Sequence, residues 1–254
     1  TTLGKLRESS IKAAKDAARE LVVTNEFGKI VENNGGNGLN AYTSSDVTVY
    51  HYNLPSNRLE MWAYLEGSRM ADPVLREFYT EKDGPVTEER RMRTETRPGG
   101  LALEALFGLT WQALPYRWPV IGWRSDVAAV TVAACREFFD TYYSANNIVI
   151  VVVGDFDTAE TLAHIERAFG GIRSAAEIPR NPTIESEQRG ERRVRIHHDV
   201  RVPLLYAAWH APQSGHPDAE ALDVTSQILS GGRSSRLYRK LVYEKERALY
   251  AEGG

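Results

Sequence analysis

The sequence predicts an α+β chain, on three observations. A 14-residue stretch alternates in the manner of paired strands, six breaker-free stretches carry helical periodicity, and one six-residue β-branched run stands between helices. The alternating stretch is 39–52, rich in Tyr, Thr and Val, with a turn near Ser44-Ser45-Asp46. The β-branched run is 148–153, whose unbroken apolar character predicts a strand buried on both faces.

The helices follow from local chemistry. Residues 11–21 are alanine-rich and charged, and 25–33 stops at Asn34-Gly35-Gly36, a capping and turn signal. Pro55-Ser56 opens a helix over 57–69. Pro85 suits the first turn of a helix over 86–96, because its missing N–H costs nothing there. Pro98-Gly99-Gly100 ends that helix, and 101–113 is helical before the loop of Pro115, Pro119 and Gly122. Helices are also expected over 131–143, 158–169, 219–229 and 236–247, with strand-like stretches at 192–197 and 204–210.

Residues 174–190 are polar, hold Pro179 and Pro182, and show no hydrophobic period, which marks a linker. Strand–helix alternation then restarts. The organisation expected is a first domain over 1–176, a linker over 177–190, and the N-terminal part of a second domain over 191–254. The opening Thr1-Thr2-Leu3-Gly4-Lys5 and the closing Tyr250-Ala251-Glu252-Gly253-Gly254 read as cuts from a longer chain.

A net charge of −3 gives no global field for nucleic acid or an anionic membrane, so neither is expected as a partner. No run approaches the roughly 18 apolar residues of a spanning helix. The arginine clusters 90–93 and 192–195 are interrupted by apolar residues and read as solvated faces. One cysteine, Cys135, excludes an internal disulfide framework, and its apolar helical setting predicts a buried structural thiol.

The six histidines form neither H-E-x-x-H nor H-x-x-E-H, so the chain holds no complete zinc motif. Gly231-Gly232-Arg233-Ser234-Ser235 lacks the closing glycine of a nucleophile elbow and reads as a turn joining helices. The pair Glu88-Glu89 sits early in a helix, where acidic residues favour the dipole whatever their function.

Read together, the segments carry more. Asn33 to Asp46 (Asn-Asn-Gly-Gly-Asn-Gly-Leu-Asn-Ala-Tyr-Thr-Ser-Ser-Asp), Glu81-Lys82-Asp83 with Glu88-Glu89-Arg90-Arg91, and Pro115-Tyr116-Arg117-Trp118-Pro119-Val120-Ile121-Gly122 occur in that order. They are followed by Asn146-Asn147 with Val151-Val152-Val153-Gly154-Asp155, and by Gly231-Gly232-Arg233-Ser234-Ser235-Arg236-Leu237. This ordered set resembles the pitrilysin/insulinase (M16, inverted zincin) zinc metallopeptidases over nearly the whole chain.

The resemblance implies a metallopeptidase-type α/β sandwich, a mostly antiparallel sheet with helices packed on it, followed by the start of a second similar domain. It implies zinc held by an H-x-x-E-H helix and a downstream glutamate, and water attacking a peptide carbonyl. That H-x-x-E-H helix would precede Asn33 and is absent from residues 1–32. The stretch from Glu81 is one residue longer than the family pattern. Counting from Glu81 selects Glu88 as the metal ligand, whereas counting from Glu-Glu-Arg-Arg selects Glu89. Glu89 is preferred, because an added residue fits a loop before the helix better than a helix interior. Glu81 corresponds to the supporting catalytic acid.

Asn40, Ala41 and Thr43 correspond to the strand that pairs with an extended peptide substrate. The loop histidine and the proline before Asn146 are Leu114 and Ala145 here. The function expected is that of a fragment of a zinc metalloendopeptidase, inactive by itself, whose chamber is closed by the rest of the chain or a sister subunit. The alternative is a non-catalytic family member that binds peptide or a partner chain.

Overall fold

The computed structural model describes residues 9–10, 12–14, 16–17 and 20–254. The chain divides into two units, the first ending at Tyr206 and the second comprising Ala207–Gly254. Of the helix expected over 11–21, Ile11, Lys15, Ala18 and Arg19 lie outside the described residues; residues 12–14, 16–17 and 20 are helical.

The first unit begins, after that stretch, with α1 (Glu26–Asn33), stopped as its sequence directs. The N–H of Gly36 closes on the Val31 carbonyl at 2.9 Å, and Gly35 takes a left-handed φ of 82°. A Cβ on Gly36 would stand 2.4 Å from Val31 Cγ1, so only glycine lets the chain turn back this tightly over the fully buried Val31.

The turn delivers β1 (Asn37–Thr43), which pairs antiparallel with β2 (Thr48–Asn53). Asn40 faces His51, Ala41 faces Tyr50, Tyr42 faces Val49, and Thr43 faces Thr48. The register slips between Asn37 and Asn40, where Gly38 with φ 65° supplies the bulge. Both strand segments and the turn at Ser44–Asp46 are as expected from the alternation.

Helix α2 (Leu59–Ala71) packs against α7 (Thr158–Phe169). Gly67 brings the helices together, since a Cβ there would meet the Ala168 carbonyl oxygen at 2.5 Å. Trp62 and Phe169 lie ring to ring at 6.1 Å, and Ala63 is 1% exposed. Helix α7 is capped by Asp157, whose Oδ1 accepts the Glu160 N–H at 2.8 Å. Gly67→Val should lower stability by about 1–3 kcal/mol through overpacking, read in a urea melt; an unshifted midpoint would show that the interface gives way freely.

Helix α3 spans 78–95 without a break and corrects two expectations. Pro85 lies inside this helix, within a π turn over Lys82–Val86, and does not open it. The wider turn removes the need for the N–H that proline lacks, and Thr87 Oγ1 bonds the Lys82 carbonyl at 2.8 Å. The extra residue between Glu81 and Glu89 is thus absorbed inside the helix, not in a loop before it. A second π turn covers Arg91–Glu95, and Pro98, expected as a stop, occupies the first turn of α4 (Pro98–Thr110).

After α4 come a 3-10 turn at Pro115–Arg117, α5 (Arg124–Ala129) and α6 (Val132–Tyr142), the last capped by the Thr131 side chain on the Ala134 N–H. Cys135 on α6 is half-buried, short of the full burial its apolar neighbours suggested.

The larger sheet expected from the sequence is not found among the described residues, whose only sheet is β1–β2. Residues 148–153 are extended but paired to no strand. Val149, Val151 and Val153 are 87%, 75% and 90% exposed while their alternate neighbours are half-buried, so the run is covered on one side, not both. β-branched residues fix the extended backbone, whereas a ladder also needs a partner in register. The stretches 192–197 and 204–210 are likewise without strand pairing.

The second unit holds α8 (Ala219–Ser230) and a helix over 236–244 that ends in a π turn. They are joined by the Gly231–Ser235 turn, with Gly232 at φ 78°. No helix among the described residues is long and apolar enough to cross a membrane.

Candidate substrate edge and ligand helix

The open side of β1 follows from its hairpin. The Ser44 N–H donates to the Val47 carbonyl at 2.8 Å, which makes residues 44 and 47 a hydrogen-bonded pair. Pairs alternate in an antiparallel ladder, so Tyr42 and Asn40 direct their backbone groups to β2. Ala41 and Thr43 then direct theirs to the unpaired edge. Consistent with this, the Ala41 N–H is covered by Asn40 Oδ1 at 2.8 Å. Every residue of β1 is exposed. The strand therefore offers an alternating row of donors and acceptors to an extended chain.

The hairpin is held from below and at its tip. Tyr50 and Tyr143 share a hydroxyl hydrogen bond of 2.6 Å, and the Arg69 guanidinium lies 4.2 Å from the Tyr50 ring centre. Arg69 is also paired with Glu66, which is 6% exposed. Burial, and then the neighbouring Glu66, push the Tyr52 hydroxyl far above its ordinary pKa. At the tip, the Tyr116 hydroxyl donates to Asp46 Oδ2 at 2.8 Å.

On α3, Glu88 and Glu89 take different surroundings. Glu88 pairs with Arg91 at 2.8 Å with 57% of its side chain exposed, and Glu89 pairs with Arg93 at 2.8 Å with 43% exposed. Glu81 is exposed at the preceding turn. No hydrogen bond or ion pair joins Glu81 or Glu89 to β1 among the described residues, so the two halves of the predicted site stand as separate features.

The arginine clusters are not simply solvated. Arg90 is 6% exposed and clasps three partners: the Gly122 carbonyl at 2.6 Å, Glu104 at 3.1 Å and Glu95 at 3.4 Å. Arg192 donates to the Leu109 carbonyl at 2.7 Å. A charge count missed both, because Glu104 and the Gly122 and Leu109 carbonyls lie 14 or more positions from the arginines they bind.

The Peptidase M16 inactive domain family model matches residues 129–251. Zinc protease PqqE of Helicobacter pylori is 32% identical over 231 residues, covering 89% of this chain and 52% of the relative. A crystal structure of a protease from the same organism superposes with a TM-score of 0.80 at 30% identity, over 92% of this chain and 57% of that one. The chain belongs to the peptidase M16 family.

This M16 chain spans about half the length of those relatives. A peptidase M16 inactive domain from Pseudomonas fluorescens, 18% identical, shares the fold with a TM-score of 0.64 over 85% of this chain and 53% of that one. Among the described residues of the M16 chain no three His, Cys, Asp or Glu side chains converge to hold a metal. Among the described residues the predicted donor set is the single carboxylate of Glu89, paired with Arg93, whereas zinc takes three or four protein ligands, so these residues by themselves do not complete a zinc site.

Proposed function

We propose that this chain contributes the third zinc ligand, Glu89, and the substrate-pairing strand of a zinc metalloendopeptidase that cleaves peptides or unfolded segments. The observation that carries the reading is the open edge of β1, set in the ordered family elements. An extended peptide would add beside β1, its backbone meeting Ala41 and Thr43, with Asn40 swinging off the Ala41 N–H to engage it. Such pairing reads backbone more than side chains, which suits a peptidase acting on unfolded chain. Glu81 is the supporting acid. The histidine ligands would come from an H-x-x-E-H segment, and the rest of the same polypeptide or a sister subunit would close the chamber. By itself this chain is expected to hold zinc weakly and to cleave nothing.

Domain boundaries at 176 and 190 belong to this proposal, with the second domain beginning at 191. One observation favours a second reading, a non-catalytic family member: the matching family model is the inactive domain.

The strand assignment is tested by Ala41→Pro. Proline removes the outward N–H while sparing the bonds to β2, so the hairpin should survive. Affinity for a fluorescein-labelled unstructured peptide should fall about tenfold by anisotropy, the loss of one backbone hydrogen bond and of close approach. Unchanged affinity would remove β1 from the binding surface.

A further inference from the structure

Glu185 lies in the polar stretch read from sequence as a linker, yet its carboxylate is fully engaged. It accepts the backbone N–H groups of Gln112 at 3.0 Å, Ala113 at 2.8 Å and Leu114 at 3.0 Å. Farther along the chain, Arg192 donates to the Leu109 carbonyl at 2.7 Å and the Thr110 carbonyl at 3.2 Å. The carbonyls that end α4 and the N–H groups beyond it are thereby satisfied together by two charged side chains of one segment. Charge-assisted bonds of this kind are the strong ones.

The clamped residues lead straight into the Pro115–Arg117 turn. Arg117 Nη1 ties that turn back to the Gln112 carbonyl at 2.9 Å, and Trp111 meets Tyr116 edge to face at 5.4 Å. Tyr116 in turn holds Asp46 at the tip of the β1–β2 hairpin. That hydrogen bond raises the Tyr116 pKa above its ordinary value, so the hydroxyl keeps its proton through the neutral range. An unbroken series of bonds thus runs from Glu185 to the hairpin.

We propose that Glu185 is a positioning residue for the open edge of β1: its three backbone hydrogen bonds fix the Pro115 turn, and Tyr116 transmits that placement to Asp46. The part concerning substrate rests on reading β1 as the peptide-pairing strand. A physical consequence follows for the segment around Glu185. Its docking sets the hairpin's freedom, so a change that pulls this segment away loosens the edge without touching it.

Backbone amide hydrogen exchange, resolved by residue, tests the relay on the intact chain. Glu185→Gln should speed exchange at residues 112–114 and at Ser44, whose N–H closes the hairpin on the Val47 carbonyl, by at least about tenfold each. Tyr116→Phe should speed exchange at Ser44 alone. Glu185→Asp, which keeps the charge, should recover part of the protection. Faster exchange at 112–114 in Glu185→Gln with Ser44 unchanged would overturn the proposal, as would unchanged exchange at both places. Anisotropy with the labelled peptide separates the two readings. Several-fold weaker binding in both Glu185→Gln and Tyr116→Phe supports the positioning of a substrate edge. Failure of the wild type to bind removes the substrate reading, while the exchange pattern still decides the relay.

Discussion

Replacing Arg90 with methionine should cost about 3–5 kcal/mol of stability, the range for breaking a buried ion pair from one side. The side chains of Arg90 and Glu104 are 8% and 15% exposed, so neither charge has water to fall back on. Arg90 also fills the Gly122 carbonyl and stacks its guanidinium 5.9 Å from the Trp123 ring centre. Methionine keeps the stem's packing but leaves Glu104 and the carbonyl without their donor. Lysine should not rescue it, since one ammonium cannot span a carbonyl and two carboxylates as the planar fork does. Arg91→Met is the control: Arg91 and Glu88 are about half exposed, so the unfolding midpoint should scarcely move. A denaturant titration measures both. Equal losses at 90 and 91 would show that burial of Arg90 does not matter to the fold.

The second large effect concerns Glu89. In a polypeptide that joins this chain to an H-x-x-E-H segment, Glu89→Gln should lower kcat/KM for peptide hydrolysis by more than about 100-fold, exceeding the effect typical of outer-shell partners. Glu88→Gln should change it by no more than about threefold, because Glu88 is exposed and its pair with Arg91 lies in solvent. Neighbouring helical positions differ by about 100°, so one carboxylate at most can face a metal. Glu89 is the less exposed of the two. The reverse order of effects would move the ligand to Glu88. Equal indifference would favour the non-catalytic reading.

Much of the fold was legible because its signals are local. The alternation in 39–52 and the Ser44–Asp46 turn produce the hairpin, and the Asn34-Gly35-Gly36 signal stops α1. Pairing and packing were not local. Residues 148–153 have the chemistry of a buried strand, but burial depends on a partner that a β-branched run does not encode. Pro85 and Pro98 looked like boundaries. A π turn accommodates the first, and the second starts the helix it seemed to precede.

The candidate site was read in the same uneven way. Asn40, Ala41 and Thr43 do share a strand, one whose outer edge is paired to no strand among the described residues. Arg90 stood inside the quoted Glu-Glu-Arg-Arg element and Tyr116 inside the Pro-Tyr loop, so motif membership was the available signal for both. Glu185 had none, because its partners are backbone N–H groups more than 70 positions away.

Zinc content by mass spectrometry, on a polypeptide that joins this chain to an H-x-x-E-H segment, decides whether Glu89 is a metal ligand. One zinc per molecule should be retained after dialysis by the wild type and by Glu88→Gln, and lost from Glu89→Gln. Full retention of zinc in Glu89→Gln would contradict the assignment of this helix as the source of the third ligand.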